Sequence, residues 1–162
     1  MDRYKMEDLK KWKNSTNRKP LIIRGARQVG KTWLMQEFGR KYYEKCAYIN
    51  FDDNTRMNSL FNEDFNIEKI IQGLKIESGV NIEPENTLII LDEIQETPRA
   101  LKALKYFCEN AREYHVISAG SLLGVAIHEG TSFPVGKVDF MDLMPLSFFE
   151  FLDALGQKDL LK

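Results

Sequence analysis

Short apolar runs alternate along this chain with longer stretches in which apolar residues recur every three or four positions. Leu21-Ile22-Ile23-Arg24, Ala47-Tyr48-Ile49-Asn50-Phe51, Leu88-Ile89-Ile90-Leu91 and His115-Val116-Ile117-Ser118-Ala119 read as strands. The third is apolar at every position, as expected of a strand covered on both faces. Helices are predicted over residues 4–14, from Lys31 to Tyr43 and over Ile67–Ser78. Another starts at Pro98, a residue suited to a first helical turn, with Leu101, Leu104, Lys105 and Cys108 at helical spacing. Residues between the second strand and Ile67 read as a polar loop. A fifth strand-like element near Val135–Leu143 leads through Pro145 into a helix at Phe148–Leu155. Strands alternating with helices predict an α/β three-layer sandwich around a central parallel sheet. No internal repeat or low-complexity tract interrupts it. The expected division is an N-terminal helix and turn, 1–18, closed by Asn14-Ser15-Thr16-Asn17, and a core, 19–162. No closing element precedes Lys162, as expected of the first domain of something longer or of a truncated chain.

Composition narrows the picture only slightly. The 162 residues are 43% hydrophobic and 29% charged, as in ordinary globular chains. No apolar run approaches the roughly 20 residues that span a bilayer, so no membrane contact is expected. Met1-Asp2-Arg3-Tyr4-Lys5 has no apolar stretch behind it, and a cytoplasmic location is the expectation. Cys46 and Cys108 are too few for a disulfide framework or a thiolate metal site and are expected as buried filler. His115 and His128 are isolated, which suits packing or surface roles. The net charge of −1 hides an asymmetry: residues 1–31 hold ten Lys and Arg against three Asp and Glu. That basic third fits a solvated helix beside an anion site, or a nucleic-acid contact.

The candidate chemistry begins where the first strand ends. Gly25-Ala26-Arg27-Gln28-Val29-Gly30-Lys31-Thr32 has the spacing G-x-x-x-x-G-K-[ST] between a predicted strand and a predicted helix. Glycines let successive backbone N–H groups turn inward around a phosphate, and the helix adds its positive end. Lys31 supplies a cation for the β- and γ-oxygens, and Thr32 a hydroxyl ligand for Mg²⁺. Trp33, next in the chain, is counted with this nucleotide-binding stretch.

A second motif ends the third strand. Leu88-Ile89-Ile90-Leu91-Asp92-Glu93 delivers two carboxylates from an apolar run. Beside a phosphate loop, Asp92 would hold the Mg²⁺ through a water, and Glu93 would orient and deprotonate the attacking water. No Asn-Lys-x-Asp motif for guanine is present; the nearest string is Gln157-Lys158-Asp159. ATP with Mg²⁺ is therefore the expected ligand, and ATP hydrolysis the expected reaction.

Four stretches carry a family resemblance: Arg24 to Thr32, Leu91-Asp92-Glu93-Ile94-Gln95, Ala119-Gly120-Ser121-Leu122-Leu123, and Pro145-Leu146-Ser147-Phe148-Phe149-Glu150-Phe151. Together they resemble the AAA-type P-loop ATPases of bacteria and archaea that carry an uncharacterised second domain. The resemblance runs from about Tyr4 to Gly156 and implies strand order 5-1-4-3-2. It also implies a nuclease-like C-terminal domain beyond residue 162. In P-loop ATPases with an Asp-Glu pair, a strand between the loop and acidic strands offers a polar residue to the γ-phosphate. Here that is Ser121, with Ser118 in reserve; a helix cap explains such a serine equally well. Many family members have Gly-Arg at Gly136-Lys137, which makes Lys137 a phosphate-sensing candidate. Three functions follow as alternatives: hydrolysis coupled to movement of an attached effector domain, a nucleotide-responsive switch with little turnover, and an ATP-regulated nucleic-acid-interacting protein. A homo-oligomer or the C-terminal domain would complete the site, with Arg27, Arg99 and Arg112 as the candidate cations and turnover slow in isolation.

Overall fold

Side chains on a strand alternate between the two faces of its sheet, and in this chain both sets are apolar. The computed structural model describes residues 5–25, 30–120 and 136–143. In chain order the elements are α1 (Lys5–Asn14), β1 (Leu21–Arg24), α2 (Lys31–Tyr42), β2 (Lys45–Asn50), α3 (Thr55–Glu63), α4 (Ile67–Ser78), β3 (Thr87–Asp92), a 3-10 turn (Ile94–Glu96), α5 (Pro98–Asn110), β4 (His115–Gly120) and β5 (Asp139–Asp142). The five strands form one sheet in the order β2-β3-β4-β1-β5, with every pairing parallel. Read from the other edge, this is the expected order 5-1-4-3-2.

Helices cover both faces. Leu21, Ile23, Leu88, Ile90, Ile117 and Ala119 pack with Met6, Leu9 and Trp12 of α1 and with Leu34, Met35 and Phe38 of α2. Ile22, Ile49, Ile89, Leu91 and Val116 face the other way, into the layer made by α3, α4 and α5. All six residues of β3 and of β4 are buried, which explains why those runs lack polar alternation. β5, at one edge, alternates half-buried and exposed positions. Its Asp142 takes a bidentate ion pair from Arg24 of β1, at 2.8 and 3.2 Å.

The stretch expected as a polar loop before Ile67 holds a helix, α3. Only Met57 and Phe61, four residues apart, are buried in it, so its apolar stripe is too short to register as a pattern. Its start is set by Asn54, whose side chain accepts from the Met57 N–H. The fifth strand is shorter than expected, four residues rather than the range near Val135–Leu143. The helix expected at Phe148–Leu155 lies outside the described residues. Among the described residues, no helix is long and apolar enough to cross a membrane.

Candidate active site

In an open parallel sheet, ligands sit beyond the carboxyl ends of the strands. Gly25 leaves that end of β1, and Asp92 closes that end of β3. β4 lies between them, with Arg24 in register with Gly120 and Asp92 in register with Ala119. The gap between the two motifs is therefore one strand, about 10 Å between the β1 and β3 axes. Helix α2 spans the gap. It starts after Gly30, held at φ 90°, a conformation that side-chain-bearing residues rarely adopt. With glycine as its N-cap and no acidic residue in its first turn, α2 keeps the positive field of its N-terminus facing the site.

Lys31 is 7% exposed, and its Nζ donates to the Gly25 carbonyl at 2.9 Å, tying the helix start to the end of β1. Burial pushes its pKa down, while the Glu93 and Asp92 carboxylates pull the other way. Thr32 Oγ1 donates to Asp92 Oδ2 at 2.6 Å, so the two motifs, separate in sequence, meet in one hydrogen bond. Trp33 is half-buried against the α1–α2 core. Ala26, Arg27, Gln28 and Val29 lie outside the described residues, as does Ser121.

Asp92 is 3% exposed and holds three donors. Besides Thr32, the Tyr48 hydroxyl donates to Oδ2 at 2.6 Å, and the Glu93 N–H to Oδ1 at 3.0 Å. Burial, and then the bond to Asp92, push the Tyr48 phenol well above its ordinary range. Tyr48 was no candidate from sequence, where it is one residue of an ordinary strand; only the β2–β3 pairing brings it to the carboxylate. Glu93 has φ 55° and ψ 43°, left-handed for a residue with a side chain. Such a position costs on the order of 1 kcal/mol and recurs at functional sites. Gln95 Nε2 donates to Glu93 Oε2 at 2.6 Å and fixes the carboxylate from two residues away.

The donor set suits Mg²⁺. Among the described residues, three donors take three of the four lone-pair sites on the Asp92 carboxylate and leave one on Oδ1, enough for one metal-bound water. Thr32 gives its proton to Asp92, which leaves its lone pairs for a cation. Among the described residues, no group of three His, Cys, Asp or Glu could hold a metal by itself.

Other candidates have different surroundings. Ser118 is fully buried in β4, and its Oγ finds no hydrogen-bond partner among the described residues. Lys137 precedes β5 at the edge of the sheet where β1 begins, and the Asp139 N–H bonds to the Pro20 carbonyl there. The length of a four-residue strand, about 13 Å, separates that edge from the phosphate loop. Lys137 instead lies 3.5 Å from Glu109 in the last turn of α5, where a cation favours the helix dipole. Arg99 donates to the Phe61 carbonyl at 2.7 Å and lies over the Phe65 ring, joining α5 to α3. Arg112 follows α5 rather than belonging to it, and its Nε caps the helix at the Cys108 carbonyl, 2.8 Å away. Cys108 is buried as expected, but Cys46 is only half-buried, its thiol pushed up to about 11 by desolvation. His115 is a packing residue, bonded to the Tyr43 hydroxyl at 2.6 Å.

The fold is similar to that of the Walker-type ATPase PABY2304 of Pyrococcus abyssi, with a TM-score of 0.60 at 16% identity over 94% of this chain and 57% of that one. It is also similar to Drosophila ORC bound to DNA, with a TM-score of 0.59 at 18% identity over 96% of this chain and 46% of the other. The chain thus spans about half the length of these solved structures. A comparison with curated proteins finds no match. The family of the AAA domain matches residues 17–152, from before β1 to beyond β5. With most of its length inside that match, and both motifs at the carboxyl edge of the sheet, the chain belongs to the AAA domain family.

Proposed function

We propose that the protein binds ATP with Mg²⁺ and hydrolyses the β–γ phosphoanhydride, coupling that step to movement of an attached effector domain. The observation that carries this reading is the 2.6 Å bond from Thr32 to Asp92, which makes one site of two motifs. Bound Mg²⁺ would neutralise charge on the phosphate oxygens, held by Thr32 directly and by Asp92 through a water. Backbone N–H groups of Gly25–Thr32 and the N-terminus of α2 cradle the phosphates, and Lys31 adds its cation. Glu93 takes a proton from the attacking water, with Gln95 holding its carboxylate in place. A cytoplasmic location, and a partner subunit or C-terminal domain that completes the site, belong to the same proposal.

Nucleic acid is left out of it. The likeness to ORC is one of fold, and among the described residues several cations of the basic N-terminal third are engaged within the protein. Lys5 pairs with Asp8, Lys10 with Glu7 and Arg24 with Asp142. Arg18 bonds to the carbonyls of Lys13 and Arg112.

The test is the thermal midpoint with nucleotide. Mg²⁺-ATP at about 100 times its dissociation constant should add roughly 2.7 kcal/mol of stability, and GTP at equal concentration far less. Lys31→Ala should abolish most of that shift. Equal shifts by ATP and GTP would remove the case for adenine, and an undiminished shift in Lys31→Ala would remove the phosphate site.

A further inference from the structure

We infer that Tyr48 is a positioning residue of the site, one that aims Asp92 and so sets how strongly Mg²⁺ is held; this rests on the Mg²⁺-ATP reading above. The contact is diagonal across two strands. Tyr48 of β2 is in register with Ile90 of β3, while Asp92 stands opposite Asn50. Among the described residues, Asp92 takes its donors from Thr32, Tyr48 and the Glu93 N–H and none from Asn50, whose side-chain oxygen accepts from the Asp52 N–H. Two residues of strand, about 6.6 Å, separate Tyr48 from the level of Asp92, a span that a tyrosine crosses and a serine or threonine does not. Its hydroxyl ends 2.6 Å from Oδ2, in the short range of O–H donors bound to a carboxylate.

Tyr48 and Thr32 share that one oxygen, each at 2.6 Å. The carboxylate is therefore anchored on Oδ2 from two elements, β2 and α2, and presents Oδ1 as its open side. Thr32 alone is a weak anchor, because its hydroxyl has a second task as the proposed metal ligand. Tyr48 comes from a strand that contributes nothing else to the site, and its ring packs against the α1–α2 core. Removing the Tyr48 hydroxyl leaves Oδ2 with Thr32 as its remaining anchor, while the Glu93 N–H still holds Oδ1, so the carboxylate is aimed less firmly.

The experiment compares wild type with Tyr48→Phe. ATP-induced thermal shifts are followed over a Mg²⁺ titration, and ATP binding is measured separately in EDTA. Loss of an outer-shell partner typically weakens metal affinity by about 10–100-fold, so half-maximal Mg²⁺ should rise by that factor. ATP affinity in EDTA should not change. A purely structural tyrosine would lower the ligand-free midpoint and leave the Mg²⁺ curve where it was. Superimposable Mg²⁺ curves would overturn the role of Tyr48 while leaving the ATP site standing. No Mg²⁺-dependent shift in the wild type would sink the ATP reading itself, and the inference with it. Should Tyr48→Phe fail to fold, Tyr48→Met removes the same hydroxyl with a more adaptable side chain, and the same displacement is expected.

Discussion

The proposed roles of Glu93 and Lys31 are separable, and substitution separates them. Glu93→Gln keeps the size of the side chain and an oxygen for Gln95 Nε2 to reach, so ATP binding should survive. The amide cannot take a proton from water, and turnover should fall about 10²–10⁴-fold. If the variant bound no ATP, Glu93 would be part of the binding frame rather than the base. His115 makes a different single-residue prediction. It is 4% exposed, and burial, with the charges of Arg18 and Lys13 adding to it, lowers its pKa from 6.5 to about 4. The unfolded chain takes up this proton near pH 6.5, and the folded chain does so only near pH 4. Stability present above pH 6.5 is therefore lost as pH falls between those values, by up to about 3 kcal/mol. Urea unfolding at pH 7 and pH 4.5 should show His115→Asn losing less stability on acidification than wild type. Parallel losses would mean that another group carries the acid sensitivity.

At the scale of elements, two glycines make opposite predictions from one kind of measurement. A Cβ on Gly39 of α2 would stand 2.8 Å from Cys46 Sγ, 3.2 Å from Cys46 Cβ and 3.3 Å from Leu88 Cδ2, against short side chains on two strands. A Cβ on Gly73 of α4 would stand 2.6 Å from both methyls and 3.1 Å from Cγ of Leu60, closer still, but that side chain is partly buried and can swing away. Gly39→Ala should cost about 1–3 kcal/mol despite its gain in helix propensity, because overpacking outweighs it. Cys46→Ala should restore part of the loss. Gly73→Ala should be neutral or slightly stabilising. Equal unfolding midpoints for the two variants would show that α2 is not seated as tightly on β2 and β3 as these distances require. The legibility of the elements follows the same logic. β1, β3 and β4 announced themselves because strands covered on both faces are dominated by apolar residues. α3 did not, since it buries only Met57 and Phe61 and is polar elsewhere. Asp92, Glu93, Lys31 and Thr32 were legible as motifs of local spacing. Tyr48 was not, because its role depends on β2 lying beside β3, and no periodicity within a strand reports its neighbour. The place of Lys137 was not legible either, because the direction of β5, which sets it at the edge where β1 begins, depends on pairing with β1.

For the whole molecule, the question is what these residues do together. In the proposed reading, Glu93 is the base, Lys31 the phosphate cation, and Thr32 and Asp92 the oxygens for Mg²⁺. Arg99 is engaged on the Phe61 carbonyl of α3 and Arg112 on the Cys108 carbonyl at the end of α5. A cation inserted at the γ-phosphate is worth about 10³–10⁵ in rate, so dilute, isolated protein should turn over slowly. Activity should rise with protein concentration, or when a domain that follows residue 162 is present. The most direct measurement is phosphate released from ATP per subunit, with and without Mg²⁺, over a wide protein concentration series for wild type and Glu93→Gln. The expected result is slow, Mg²⁺-dependent release that climbs with concentration in the wild type and is lost in Glu93→Gln, although the variant still binds ATP. Release equally fast in both proteins, or none from the wild type at any concentration, would contradict the claim that Gly25–Thr32 and Asp92-Glu93 form an ATP-hydrolysing site.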